Sequence, residues 1–387
     1  MDYLSDRHAA VARFNGGSNA GHTVVIGAKR STFHLIPSGA LKGKELLVGA
    51  GVALDPMVLR EELGSLPGEA RGRLLVDGRC GLVSPLDREL DGAIEDMRGE
   101  SAIGTTRRGV GPSYAMRALR LAPRVSDLLA GFDYGALSRF YGKLGIETNG
   151  LDAWARSSAE LLRGVVGDVG ARVMKLNEAG KTVLFEASQG TLLDILHGSY
   201  PYVTATHTVV SYLPSAVGVP PSSAGEPLGV MKCYTTRVGE GPFPTELSGD
   251  AANEMRAIGN EYGATTGRPR RVGWLDLVAL RYAIKLNEVK KVAVSKLDVL
   301  SKVGEFKACV AYRRMGSETE DFQSSLPALS EVEPVLESPF TMEGADFRGG
   351  SLPPQAKRLV EYLEDSLRVK VSLVSYGDER SMTLELN

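Results

Sequence analysis

The fourteen residues Gly263–Asp276, G-A-T-T-G-R-P-R-R-V-G-W-L-D, gather two threonine hydroxyls, three glycines and three arginines. Glycine lets backbone N–H groups come close to a ligand, and hydroxyls donate to anionic oxygens. Arginine adds a planar donor fork that matches carboxylate or phosphate. A lone R-x-R-R is usually a basic surface loop. Here Thr-Thr-Gly, the composition of an anion nest, precedes the basic run, and Gly273 and Trp274 follow it in place of a lysine-rich tract. The stretch is expected to bind a small anion and to lead into a helix over Leu275–Leu286.

Other segments carry similar chemistry. Val11–Phe14 reads as a short strand entering N-G-G-S-N-A-G-H-T, Asn15–Thr23. Glycine clusters after strands lie at the carboxyl edge of α/β sheets, where ligands bind, and His22 in this setting reads as catalytic. In Ser101–Arg120, Gly104-Thr105-Thr106 offers hydroxyls and backbone donors to a phosphate. Arg117 and Arg120, three apart, would share a face if Tyr114 onward is helical. The apolar strand Val183–Phe185 delivers E-A-S-Q-G-T-L-L-D, then H-G-S-Y-P-Y-V-T at His197–Thr204. Gln189 there can read a base edge through both a donor and an acceptor. Strand Lys291–Val294 ends in S-K-L-D, Ser295–Asp298. The Asp298 carboxylate can accept from guanine N1–H and N2–H₂ together, with the Lys296 stem beside the purine.

The elements that must hold these residues alternate along the chain. Leu46–Val48, Leu74–Val76, Gly229–Tyr234 and Val369–Val374 read as strands. Asp55–Leu63, Ser84–Met97, a long and broken Asp152–Ala179 and Pro353–Leu367 read as helices. Such alternation predicts an α/β fold, a mostly parallel central sheet with helices on both faces. Residues 1–387 are taken as a single domain without internal repeats, and 316–339 as its most loop-like stretch. Lys plus Arg is 45 against 47 Asp plus Glu, a net charge of −2, which speaks against a nucleic-acid coat. Three scattered cysteines fit a reducing compartment. With no apolar run of membrane-spanning length, the chain reads as cytoplasmic.

Taken together, F-N-G-G-S-N-A-G-H-T, I-G-T-T-R-R-G-V-G-P-S-Y, E-A-S-Q-G-T-L-L-D, H-G-S-Y-P-Y-V-T, T-R-V-G-E-G-P-F-P-T-E, G-A-T-T-G-R-P-R-R-V-G-W-L-D and S-K-L-D resemble the adenylosuccinate synthetase family, in that family's order. The resemblance implies a P-loop NTPase-like fold and a GTP-dependent ligase joining IMP to L-aspartate through a 6-phosphoryl-IMP intermediate. It implies that His22 donates to the transferring phosphoryl group and that the Gly21 carbonyl meets Mg²⁺. Asn19, Thr106, Gln189, Thr204 and Arg268 would hold IMP, and Arg120 would reach its phosphate across a homodimer interface. Thr265, Thr266, Arg268 and Arg270 would clasp the aspartate carboxylates, with Arg270 also near the GTP phosphates. These side chains are expected to lie in a cleft, so that loss of Arg270 leaves folding intact. Lys296, Leu297, Asp298, Ser375, Tyr376 and Gly377 would surround guanine.

Three departures stand out. The family opens with a strand and a G-D-E-G-K-G-K phosphate loop carrying its base aspartate, and no such segment occurs in this sequence. Arg107 stands at a usual glycine, and Leu196 at a usual acidic residue. A related synthetase for another purine nucleotide and a nucleotide-binding but inactive form therefore stay open. The absent strand is expected to leave a slot with unpaired backbone groups in the sheet, and coding sequence upstream of Met1 is expected to supply it.

Overall fold

The computed structural model describes residues 1–27, 29–263, 267–347 and 350–386, Lys29 by its backbone alone. The chain folds as two compact units, Met1–Val24 with Arg30–Ala224, and Val25–Lys29 with Gly225–Asn387.

The first unit is built on five parallel strands, in the order Val166–Gly167, Leu74–Asp77, Glu45–Val48, Ala10–Arg13, Val183–Glu186. Alternate residues serve opposite faces. Leu46, Val48 and Val76 pack with the apolar sides of the helices Pro56–Ser65 and Leu151–Leu162, while Ala10, Ala12 and Leu47 pack with Val169, Val173 and Leu176 of the helix Val169–Glu178. With both faces covered, the strands read as near-continuous apolar runs. Ala10–Arg13 is paired on each side, at Ala10–Glu45 and Ala10–Val183. Val183–Glu186 and Val166–Gly167 end the sheet, each paired on one side among the described residues.

Caps set the helix starts. The Asp55 carboxylate accepts from the Met57 and Val58 N–H groups ahead of Pro56. Ser84 and Asp87 form a reciprocal capping box. The expected long helix over Asp152–Ala179 is two helices, separated at Gly164 (φ +90°) and restarted by Asp168 capping Ala171 N. Between them Val166–Gly167 supplies the sheet's fifth strand.

The second unit has the parallel strands Leu228–Lys232, Lys291–Ser295 and Lys370–Ser375, with Thr383–Glu385 antiparallel at the edge. The helix Pro354–Leu367 contributes Ala356, Leu359, Leu363 and Leu367 to its core. Leu275–Asp276 is a short strand, not the start of a helix, because the Asp276 side chain caps Ala279 N and the helix begins at Leu277. Within 316–339, Ser317–Thr319 and Glu333–Glu337 pair antiparallel with Ala308–Arg314. Their polar residues are the exposed side of an antiparallel sheet, which sequence polarity alone reads as loop. No helix among the described residues is long and apolar enough to cross a membrane.

Candidate functional site

In the first unit, the strands ending at Arg13 and Glu186 lie in register, so their following loops emerge side by side at the carboxyl edge. Asn15 joins the loops. Its Oδ1 accepts from Ser188 N at 2.8 Å, and its Nδ2 donates to the His207 carbonyl at 3.0 Å. Gly16 has φ +75°, and a Cβ there would lie 2.2 Å from Ser188 Oγ, so only glycine fits. Arg13, fully buried, donates to the carbonyls of Asn15 and Gly17 at 3.3 and 3.0 Å.

Three residues read as nucleotide contacts come together here. Gln189 Nε2 donates to Asn19 Oδ1 at 3.1 Å, and Asn19 Nδ2 donates to Thr204 Oγ1 at 3.3 Å. Gln189 is held at φ +63°, with its Oε1 accepting from Ser188 Oγ at 2.6 Å. A left-handed glutamine costs about 1–2 kcal/mol, and such strain collects at functional sites. The Thr204 loop is shaped by Asp194, a buried carboxylate accepting from the N–H groups of Leu196, His197 and Thr208 at 2.9, 3.1 and 2.6 Å. Burial opposes its charge, but those donors hold its pKa below the usual value.

His22 opens the strand His22–Ile26, with Gly21 half-buried before it. Its Nδ1 is 3.5 Å from Glu186 Oε1, and the other Glu186 oxygen accepts from Ser38 N at 2.9 Å. Nε2 is buried and has no hydrogen-bond partner among the described residues. Burial pushes the imidazole pKa below its ordinary value against the pull of Glu186, and Arg13 lowers it further.

Two expectations for the 101–120 segment need correction. The backbone donors of Gly104 and Thr105 are used internally, by Glu95 Oε1 at 2.6 and 3.0 Å. They brace the turn, and Thr106, half-buried beside them, is the part that can face a ligand. Arg117 and Arg120 do not share a helix face. The helix stops at Ala118, Arg117 turns inward to the Ala50 carbonyl at 2.9 Å, and Arg120 lies beyond the end, exposed, at φ +59°. Arg107, at φ +52°, occupies a conformation that favours glycine, which accounts for the usual residue there.

With this geometry in view, the family profile for adenylosuccinate synthetase matches residues 1–384. The chain belongs to the adenylosuccinate synthetase family. It is 41% identical over 411 residues to the adenylosuccinate synthetase of Desulforamulus reducens, covering 100% of this chain and 94% of that one. The Moorella thermoacetica adenylosuccinate synthetase is 41% identical over 405 residues with the same coverage. Among solved structures, the fully ligated adenylosuccinate synthetase from Plasmodium falciparum superposes with a TM-score of 0.93 at 31% identity, over 100% of this chain and 96% of that one. The cyanophage S-2L succinoaminodeoxyadenylate synthetase, bound to dGMP and dATP, shares the fold at 21% identity and a TM-score of 0.62, over 99% of this chain and 89% of that one.

In the second unit of this adenylosuccinate synthetase family member, Lys232, Ser295 and Ser375 end three adjacent parallel strands. S-K-L-D and S-Y-G-D thus leave the same sheet edge. Lys296 takes φ +71°, and its Nζ reaches the Gly259 carbonyl at 3.2 Å and Asp378 at 3.5 Å. Asp298 sits in the first turn of the helix Leu297–Val303, and its Oδ1 is buried without a hydrogen-bond partner among the described residues. The Leu297 side chain is fully buried in the unit's core and can offer a ligand only its backbone. Ser375 Oγ donates to the Gly377 carbonyl at 2.9 Å, and the Tyr376 ring stacks on Phe347 at 5.1 Å. A Cβ on Gly377 would lie 2.0 Å from Met382 Sδ.

Thr265 and Thr266 lie outside the described residues. Arg268 is half-buried. Arg270 is half-buried and paired: its Nη1 donates to Glu261 Oε2 at 2.6 Å, and Glu261 is completely buried. Arg271, which carried no assignment, makes a two-pronged pair with Glu246. Glu261 itself was missed, although an acidic residue just ahead of a basic anion loop is a visible signal of a built-in counter-ion. Among the described residues no three His, Cys, Asp or Glu side chains gather to hold a metal ion. The Gly21 carbonyl alone is no match for a dication, which usually takes carboxylates, phosphates and waters. The described residues therefore do not make a Mg²⁺ site by themselves.

Proposed function

We propose that this chain joins IMP to L-aspartate with GTP as phosphoryl donor, giving adenylosuccinate, GDP and phosphate. O6 of IMP takes the γ-phosphoryl group. The aspartate amine then attacks C6, and phosphate leaves with the former O6. Family membership supports the substrates. The observation that carries the reading is the hydrogen-bonded set Gln189–Asn19–Thr204, with Gln189 held in a strained backbone state.

In this reading Asn19, Thr106, Gln189, Thr204 and Arg268 hold IMP, and Arg120 takes its phosphate. Arg268 and Arg270, with Thr265 and Thr266, bind aspartate, and Arg270 also lies near the GTP phosphates. Lys296, Asp298, Ser375, Tyr376, Gly377 and the Leu297 backbone take guanine. His22 donates to the phosphoryl group from Nε2. Mg²⁺ would arrive on the GTP phosphates and offset their charge, with Gly21 as this chain's contact. Residues 1–387 serve one reaction, in the cytoplasm, where the buried free thiols Cys80, Cys233 and Cys309 stay reduced. The test is adenylosuccinate formation with GTP, IMP and aspartate together, and none when any one is left out.

Two further results are expected. Asp298→Asn places a donor where a buried acceptor waits, and weakens GTP by about 1–3 kcal/mol, roughly 5- to 150-fold. Calorimetry showing parent-like GTP affinity would remove Asp298 from the guanine site. The protein is also expected to be a homodimer in which exposed Arg120 serves the neighbouring subunit. Mixing Arg120→Leu with His22→Asn protein should then restore part of the activity, and no recovery despite measured subunit exchange would place Arg120 in its own subunit's site or outside any.

A further inference from the structure

Among the described residues of the second unit, Glu261 is the most heavily engaged carboxylate. It follows the helix Gly249–Gly259 and the left-handed Asn260 (φ +48°), and none of its surface is exposed. Lys232 Nζ donates to Oε1 and Oε2 at 2.7 and 2.8 Å, Tyr234 Oη to Oε1 at 2.5 Å, and Arg270 Nη1 to Oε2 at 2.6 Å. The Glu261 carbonyl also accepts from Arg270 N at 2.8 Å. Arg270 is thus held by backbone and side chain of one residue. Among the described residues its Nε and Nη2 have no protein partner.

A buried carboxylate facing two cations is costly to assemble and strongly directional once assembled. One negative and two positive charges leave an excess of one positive charge, on an arginine with part of its fork unused. We propose that Glu261 is a positioning residue for aspartate recognition: it fixes one side of Arg270 and leaves the rest of the fork to the substrate carboxylate, while Lys232 offsets its charge and keeps the cluster positive. This rests on the assignment of Arg270 to aspartate above.

The charge state adds a pH dependence. Burial lowers the Lys232 pKa to about 8, against the raising effect of Glu261, and Arg270 and Lys296 lower it further. Tyr234, whose ring lies 5.7 Å from Lys232 Nζ, and Cys233 are both pushed up by burial, with Asp298 also facing them. Burial works against the Glu261 charge, but Lys232, Tyr234 and Arg270 hold its pKa below the usual value. As pH rises through about 8, Lys232 loses its proton and the cluster falls from one positive charge to none. Aspartate is then held less well.

The experiment is steady-state turnover of the full chain, with KM for aspartate, IMP and GTP measured from pH 6.5 to about 9. Glu261→Gln is expected to raise the aspartate KM about tenfold with far smaller changes in kcat and in the IMP KM, and Glu261→Asp to recover part of the loss. The parent's aspartate KM should rise about threefold between pH 7 and 9, and Lys232→Gln should flatten that rise. A Glu261→Gln protein that melts near the parent and keeps its aspartate KM overturns the proposal. So does a Lys232→Gln protein that keeps the parent's pH rise, which decides the matter if Glu261→Gln does not fold. A parent that makes no adenylosuccinate defeats the proposed function itself, a result separate from either variant's.

Discussion

Replacing His22 with asparagine is expected to lower turnover about a thousandfold and to leave IMP binding within severalfold. The imidazole is fixed from one side only. Glu186 stands 3.5 Å from Nδ1, the Phe33 ring lies 5.9 Å away, and Nε2 is buried without a partner among the described residues. Burial keeps the ring neutral at neutral pH in the free protein. A neutral ring facing a carboxylate at Nδ1 keeps its hydrogen there and cannot donate from Nε2. An arriving phosphoryl group changes this balance, because negative charge on the far side favours the doubly protonated ring. His22 then donates to both oxyanions, its pKa in the complex raised above that in the free protein. As pH rises through that raised value, the proton is lost and the rate falls. Asparagine keeps a polar amide but cannot carry this charge, so His22→Asn should lose both the rate and this limb of the pH profile. A variant with parent-like kcat would exclude His22 from phosphoryl transfer.

Arg270→Leu is expected to raise the aspartate requirement about a hundredfold, the loss of one or two charge-assisted hydrogen bonds worth roughly 1.5–3 kcal/mol each. Sequence reasoning leaves folding untouched by this change. The structure argues against that expectation, since Arg270, Lys232 and Tyr234 all donate to the fully buried Glu261 carboxylate. Removing one partner of a buried pair costs about 3–5 kcal/mol, here reduced because Lys232 and Tyr234 remain. A clearly lower Tm should therefore accompany the altered aspartate dependence. Arg270→Lys should recover more stability than affinity, because a point charge reaches Glu261 without reproducing the fork. An unchanged aspartate KM in a folded Arg270→Leu protein would refute the assignment.

Much of the architecture was legible because local signals agreed with packing. Asp55-Pro56 and Ser84 announce helix starts that the backbone uses, and apolar runs such as Leu46–Val48 and Val292–Val294 are interior parallel strands. The residues that meet in the hydrogen-bonded set Gln189–Asn19–Thr204 were also nameable, since they are hydrogen-bonding side chains in glycine-containing loops. What sequence could not convey was how those loops are held. Arg13 looks like the end of a strand, yet its buried guanidinium pins carbonyls of the glycine loop. Glu95 and Glu261 look like ordinary acidic residues of helical segments. One takes the backbone donors of the Gly104 turn, and the other takes Arg270. Both are partnerships with residues nine positions away, through tertiary contacts that no local period encodes. Arg117 and Arg120 were misplaced for a related reason: spacing assumes that the helix continues, and it ends at Ala118.

The central claim is that IMP is activated at O6 by GTP before aspartate attacks. It is tested most directly with IMP carrying ¹⁸O at position 6, incubated with GTP and aspartate, with the released phosphate analysed by mass spectrometry. The account predicts one ¹⁸O in each phosphate released, in step with adenylosuccinate formed. Unlabelled phosphate alongside adenylosuccinate, or phosphate released without it, would contradict the account.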